Sequence, residues 1–288
     1  MTDGPASAPP LPPGRMVELP GRGTTFVREV VGPPLAPTLV LLHGWTSTAD
    51  INWFPSFASL GRRFRVLSLD HRGHGRGLAS SAPFRLEECA DDAMALMDAL
   101  GVERCIPVGY SMGGPIAQLV WHRHRDRVDG LVLCATAVEF ASTRDERLLV
   151  ASMGALARAS RLTPGLLRAR LSGLYLARRS RQYDHWAIEQ VSHHDWTAIL
   201  EAGRAIGRFS SAAWVGEIDV PTAVVVTMRD HVVSLRRQIR LYDAIPGAKA
   251  YRVDGDHDAC VINADRFVPT LVSACTHVAE QARVAATG

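Results

Sequence analysis

Gly109-Tyr110-Ser111-Met112-Gly113-Gly114 sets a serine between glycines with the spacing G-x-S-x-G, and its surroundings decide how the chain folds. Before it runs Arg104-Cys105-Ile106-Pro107-Val108, which reads as a strand. After it runs Pro115-Ile116-Ala117-Gln118-Leu119-Val120-Trp121, which reads as a helix; Pro115 is tolerable there only in the first turn, where its missing N–H costs nothing. Pro107 is awkward, because a central strand should not lack a ladder donor. A strand that turns sharply into a helix makes the intervening side chain project, and Gly109 and Gly113, lacking Cβ atoms, let the two elements approach. Ser111 then sits at the apex. A hydroxyl in that place is a useful nucleophile when a base lies beside it and amide N–H groups face the oxyanion it creates.

Outward from this turn, short β-rich runs alternate with helical patterns, which implies a parallel sheet covered on both faces. Strands are expected near 16–20, 24–31, 37–42, 64–69, 104–109, 130–136, 222–227 and 248–253, the first two as an antiparallel start. The clearest helical spacing is Leu86, Cys89, Ala90, Ala93, Leu96, Met97 and Leu100, with Glu87, Glu88, Asp91 and Asp92 toward the positive end of the dipole and Gly101 as the stop. Further helices are expected after Ser111, over 234–244 and over 264–283. The run 138–216 breaks this rhythm, being helical and arginine-rich with Trp186, Trp196 and Trp214. It is expected to be a helical cap inserted after the sixth strand, leaving 15–137 and 217–288 as the core and the Pro-rich residues 1–14 as a disordered lead. Such a lid overhangs the strand ends, where ligands bind in open α/β sheets.

Composition bounds the function. A chain of 288 residues holds one core with an inserted subdomain more readily than two full domains. Hydrophobic content of 47% with 21% charged residues is ordinary for a soluble globular enzyme, and no window is apolar for long enough to be a transmembrane segment. The lead lacks the basic and apolar regions of an export signal, so the expected location is cytoplasmic. Cys89, Cys105, Cys134, Cys260 and Cys275 form no C-x-x-C pair and suit reduced, buried thiols rather than zinc or disulfides. A net charge of +3 gives no case for nucleic acid, and a homodimer is left open.

With the serine placed, a carboxylate and then a histidine should follow in chain order. Asp230 lies just beyond the strand Val224-Val225-Val226-Thr227, and His257 ends the next strand in the turn Asp254-Gly255-Asp256-His257. A neutral imidazole can accept the serine proton and return it to the leaving group, while the carboxylate fixes the tautomer. Asp256 and Asp258 flank the base and read as turn residues, since adjacent side chains diverge; Glu139 is the rival acid. The oxyanion donors are expected to be the N–H of Met112, which follows the nucleophile, and the N–H of Trp45 in the loop Leu42-His43-Gly44-Trp45-Thr46. The Trp45 indole reads equally as pocket lining or as a packed aromatic, and Tyr110 is expected to touch substrate.

In order along the chain, His43-Gly44-Trp45, the run Asp70 to Gly77, Gly109 to Gly114, Asp230 and Gly255-Asp256-His257 resemble the α/β-hydrolase superfamily over nearly all of the chain outside the lead and the cap. The resemblance implies the α/β-hydrolase fold, with serine-nucleophile members as the nearest in kind. Epoxide hydrolases and haloalkane dehalogenases carry aspartate where this chain has Ser111, and epoxide hydrolases carry proline where it has Thr46, so neither activity is expected. The expected activity is that of an esterase or lipase on a small-molecule ester with a hydrophobic acyl group, through an acyl-enzyme, with no cofactor. Thioesterase, perhydrolase or haloperoxidase, carbon–carbon hydrolase and near-inactive ligand-binding signalling protein are the alternatives. His71 and His74, in the loop after the fourth strand, read as structural rather than metal-binding; His193-His194-Asp195 resembles a ligand cluster, but consecutive helical residues face different ways, so no metal is expected there.

Overall fold

The computed structural model describes residues 8–163 and 185–287. Eight strands form one sheet in the order β1-β2-β4-β3-β5-β6-β7-β8: β1 is Gly14–Leu19, β2 Gly23–Val30, β3 Thr38–Leu42, β4 Arg65–Leu69, β5 Ile106–Tyr110, β6 Leu131–Cys134, β7 Thr222–Thr227 and β8 Lys249–Val253. Pairing is antiparallel from β1 through β2 to β4 and parallel across the rest. The central strands are mostly apolar because both of their faces are buried. Val40, Leu42, Leu67, Leu69, Val224 and Val226 feed one core, and Leu39, Leu41, Val66, Ala223 and Val225 feed the other.

The helices are α1 (Ala49–Trp53), α2 (Phe57–Leu60), α3 (Leu86–Ala99), α4 (Gly113–Arg123), α5 (Arg144–Leu162), α6 (His185–Ser192), α7 (Trp196–Arg208), α8 (Leu235–Ala244), α9 (Ala259–Ile262) and α10 (Ala264–Thr287). The pattern from Leu86 to Leu100 forms α3, and Gly101, at φ 64°, ends it in the left-handed region. Pro115 falls in the first turn of α4. Pro107 pairs with Val40 of β3, while the β5–β6 register begins only at Val108, so its missing donor falls before that ladder starts. The sixth strand stops two residues short of the expected 136, because Ala135 turns out of it at φ 48°. Helices α5, α6 and α7 lie between β6 and β7; residues 164–184 of the expected insertion and residues 1–7 of the expected lead fall outside the described residues. The rest of the lead is ordered rather than disordered: Leu11 packs against the core, the Pro12 carbonyl accepts from Arg28, and β1 already begins at Gly14.

A buried group of imidazoles joins these parts. His43 follows β3, His71 and His74 lie in the turn after β4, and His194 precedes α7. Ring centroids are 4.3 Å apart for His43 and His71, 5.4 Å for His43 and His74, and 5.5 Å for His74 and His194. His194 Nδ1 accepts the Gly75 N–H at 2.7 Å, tying the helical connection to the turn after β4. Burial holds the rings neutral: it lowers His43 to about 3 and His194 to about 4, and carries His71 and His74 well below 6.5.

These shifts set a pH dependence. Between about 6.5 and the lowered folded values the unfolded chain takes up protons that the folded chain refuses, so stability falls as pH falls through that window. Asp70, pushed up to about 6 by burial, acts in the opposite sense, but it is one carboxyl against four imidazoles. Urea midpoints measured from pH 7 down to pH 4 should therefore decline, with each imidazole contributing up to roughly 1.4 kcal/mol per pH unit. A flat profile would mean that the cluster is already charged in the folded protein.

Candidate active site

Ser111 leaves the end of β5 with φ 52°, a backbone state that side chains bearing a Cβ rarely adopt. Three hydrogen bonds hold it there. The Ser111 N–H donates to the Cys134 carbonyl at 2.9 Å, and the Ser111 carbonyl accepts from the Gly114 N–H and the Thr136 hydroxyl, each at 2.9 Å. The glycines are required by close approach: a Cβ on Gly109 would lie 2.2 Å from the Gly113 carbonyl oxygen, and one on Gly113 would lie 2.0 Å from that of Leu42.

The structure brings Ser111, His257 and Asp230 together. The Ser111 Oγ stands 2.9 Å from His257 Nε2, and His257 Nδ1 stands 2.8 Å from Asp230 Oδ2. Asp230 can only accept, so Nδ1 carries the proton and Nε2 is left to receive one from the hydroxyl. The Asp230 side chain is fully buried and His257 is 21% exposed. Oδ1 of Asp230 accepts the N–H groups of Val232 and Val233 at 2.9 and 2.7 Å, and Oδ2 accepts the Thr227 hydroxyl at 2.7 Å and Gln238 Nε2 at 3.2 Å. Burial alone would raise the Asp230 pKa, but the hydrogen bond and charge of His257, with those donors, outweigh it and hold the carboxyl below its ordinary range. Glu139 takes no part in this relay: its carboxylate is paired with Arg240.

The loop after β3 packs against the nucleophile. A Cβ on Gly44 would meet the Ser111 Cβ at 3.5 Å. His43 Nδ1 donates to the Gly44 carbonyl at 2.8 Å while its Nε2 accepts the His71 N–H at 2.9 Å, an assignment that agrees with a neutral ring. Asn52 Oδ1 takes the Gly44 N–H at 2.8 Å. Among the described residues the main-chain N–H groups of Trp45 and Met112 have no acceptor. The Trp45 indole donates to the Ile199 carbonyl of α7 at 2.8 Å, and a Cβ on Gly203 would meet its ring at 2.7 Å. The half-buried ring anchors the loop to α7.

Tyr110 calls for a correction. Instead of facing a ligand it is 3% exposed, lies edge-on to Trp53 and Phe267, and donates its hydroxyl to the His257 carbonyl at 2.8 Å. The alternation of a strand explains this, since the residue before the turn points into the core on the face opposite the serine's neighbours. His71 and His74 belong to the buried cluster, His193 is exposed, and among the described residues no group of three or more His, Cys, Asp or Glu side chains is arranged to hold a metal ion. Sequence reasoning missed Asn52, Thr227 and Gln238 as supports of the site. Thr227, three residues before Asp230 at a strand end, was findable by its spacing; the other two reach the site only through tertiary packing.

Comparison with known proteins agrees with this geometry. The family model described as alpha/beta hydrolase fold matches residues 37–263. RutD of Agrobacterium fabrum, a proposed carbamate hydrolase, is 27% identical over 244 residues, 82% of this chain and 92% of that protein. Epoxide hydrolase B of Mycobacterium tuberculosis is 31% identical over 121 residues, covering 38% of this chain and 32% of its own length. The crystal structure of the enol-lactonase of Burkholderia xenovorans LB400 superposes with a TM-score of 0.70 at 26% identity, over 91% of this chain and all of the other. A serine at a strand-to-helix turn, within this sheet order and matched from residue 37 to residue 263, makes the chain a member of the alpha/beta hydrolase fold family.

Proposed function

We propose that the protein is a serine hydrolase of carboxylic esters with small or lipid-like hydrophobic acyl groups. The observation that carries this reading is the continuous relay from the Ser111 hydroxyl through His257 to buried Asp230, with contacts of 2.9 and 2.8 Å. In the first half-reaction the Ser111 oxygen attacks the acyl carbon as its proton passes to His257 Nε2. The oxyanion so formed takes hydrogen bonds from the Trp45 and Met112 amides, which the protein leaves unused. Collapse expels the alcohol, which takes the proton from His257, and leaves an acyl-serine. Water then attacks that ester, giving its proton to His257, and the second collapse releases the acid and restores the Ser111 hydroxyl. Asp230 stays ionised throughout and balances the imidazolium.

In this reading α5, α6 and α7 serve as a lid, with Trp45 as the joint between the lid and the oxyanion loop. A carbamate is the second candidate substrate class, favoured by the likeness to RutD along most of both chains. It presents the same acyl carbon to the same serine. The likeness to epoxide hydrolase B spans about a third of each chain and does not extend the reading to epoxides, whose opening in that family begins from an aspartate at the position of Ser111.

Replacing Ser111 with Ala should lower kcat on a p-nitrophenyl ester by roughly 10⁴ to 10⁶, the residue of activity coming from binding and the oxyanion donors. A fluorophosphonate should label a single tryptic peptide, the one containing Ser111; unaltered turnover in the variant would place the nucleophile elsewhere. Assaying esters of graded chain length beside carbamates, thioesters and lactones then sets the substrate class.

The acid is tested separately. Asp230→Asn should reduce kcat by about 10⁴ through loss of the correct imidazole tautomer. Glu139→Gln, which removes only a surface partner of Arg240, should stay within about threefold of the parent enzyme. A reversal of these two results would move the acid to Glu139.

A further inference from the structure

Asp256 stands immediately before the proposed base, yet its carboxylate does not approach the imidazole of His257. One oxygen, Oδ1, accepts two main-chain N–H groups, that of His257 at 2.7 Å and that of His231 at 3.0 Å. The other, Oδ2, meets His231 Nδ1 at 2.8 Å. His231 directly follows Asp230, so a single side chain clasps the loop that carries the acid to the loop that carries the base. Such a clasp has a task, because β8 is the third strand from β5 in the sheet, on the order of 14 Å away, and His257 must lean back across β7 and β6 to reach Ser111. Two further contacts pull the same way: the Arg229 N–H donates to the Gly255 carbonyl at 3.0 Å, and Tyr110 holds the His257 carbonyl.

We infer that Asp256 is a positioning residue, stapling the Asp230 loop to the His257 loop so that His257 Nε2 stays within reach of Ser111 Oγ. The inference rests on the reading of these three side chains as a catalytic relay. The two N–H groups, rather than the ion pair, carry the effect: the His231 side chain is 83% exposed, and exposed pairs contribute little, whereas two main-chain donors on one oxygen fix the relative placement of two loops. The His231 N–H, the His231 side chain and the His257 N–H together hold the Asp256 carboxyl at about 2, so it is an acceptor at every pH where the enzyme would be assayed.

The test compares Asp256→Ala, Asp256→Asn and His231→Ala in the full chain, with active sites counted by fluorophosphonate titration and thermal midpoints recorded. Displacements of an ångström at a catalytic group cost up to about 10²-fold, so Asp256→Ala should lower kcat per active site by roughly 10 to 100-fold with KM within about twofold. Asp256→Asn keeps an Oδ1 that accepts both N–H groups and should recover kcat to within about threefold of the parent, as should His231→Ala, which retains its own N–H. The downfield proton resonance of His257 Nδ1 should shift or broaden in the Ala variant and return in the Asn variant. Asp256 is on the surface, and Asp256→Ser, too short to span both donors, repeats the measurement if the Ala variant is poorly folded. A kcat in the Ala and Ser variants equal to that of the parent, or an Asn variant as impaired as Ala, overturns the inference. A parent activity that survives Ser111→Ala overturns instead the relay on which it rests.

Discussion

The constraint on which the rest depends is the absence of room for a Cβ where β5 meets α4. Besides Gly109 and Gly113, Gly114 is confined as well, a Cβ there falling 2.1 Å from the Thr136 hydroxyl oxygen. Strand, turn and helix are thus pressed against β3 on one side and against the end of β6 on the other. Ser111 cannot relax from its left-handed conformation without moving one of those neighbours. The strain is local, of the order of 1–3 kcal/mol for such a residue, and is offset by a core buried on both faces of the sheet. The same crowding leaves the hydroxyl nowhere to project except over the carboxyl edge, toward His257.

Around this turn the protein spends buried charge on geometry. Asp50, fully buried, receives the fork of Arg28 at 2.7 and 2.8 Å and a third bond from Arg76 at 2.7 Å, while Asp70 accepts the N–H groups of Ala49 and Arg76 at 2.8 and 3.0 Å. Arg72 grips Asp92 of α3 with two bonds of 2.8 Å. Buried pairs of this kind add little net stability, because desolvation cancels much of the attraction, but breaking one by removing a single partner is expensive. Their consequence is placement: the turn after β4 is fixed to β2, α1 and α3, and through the His71 N–H it fixes His43, which in turn fixes Gly44 beside the serine.

Much of this was legible in the chain. The glycine spacing around Ser111 and the apolar runs of the central strands reflect local or repetitive constraints, which leave a mark on sequence, while Asp230 and His257 were found by the chain order in which an acid and a base follow a G-x-S-x-G serine. The strand ends drifted by one or two residues where the cause was tertiary, as at Ala135, which leaves the strand at φ 48° although its N–H still pairs with the Val225 carbonyl. Tyr110 misled for a related reason. Adjacency to the nucleophile suggested contact with substrate, while strand alternation sends the ring into the core. Gln238 and Asn52 left no pattern to read, since each reaches the site from a helix eight residues beyond the group it serves, Asp230 and Gly44 respectively.

The two sides of Ser111 differ in charge in a way that suits the chemistry proposed for it. On the base side lies an ionised carboxylate, Asp230, its charge spread over donors from Thr227, Val232, Val233, Gln238 and His257 and aimed at the imidazole that becomes cationic. On the oxyanion side the neighbours are imidazoles kept neutral by burial, with His43 spending its one N–H on the Gly44 carbonyl. A carboxylate there would repel the charge that forms on the acyl oxygen. Neutral rings do not, and His43 still supplies hydrogen bonds that hold the loop. Preorganised dipoles stabilise a developing charge only if they need not turn toward it during the reaction. A loop locked by a buried, neutral His43 and by Asn52 meets that requirement, which is why the imidazole cluster belongs to the account of reactivity as much as to that of the fold.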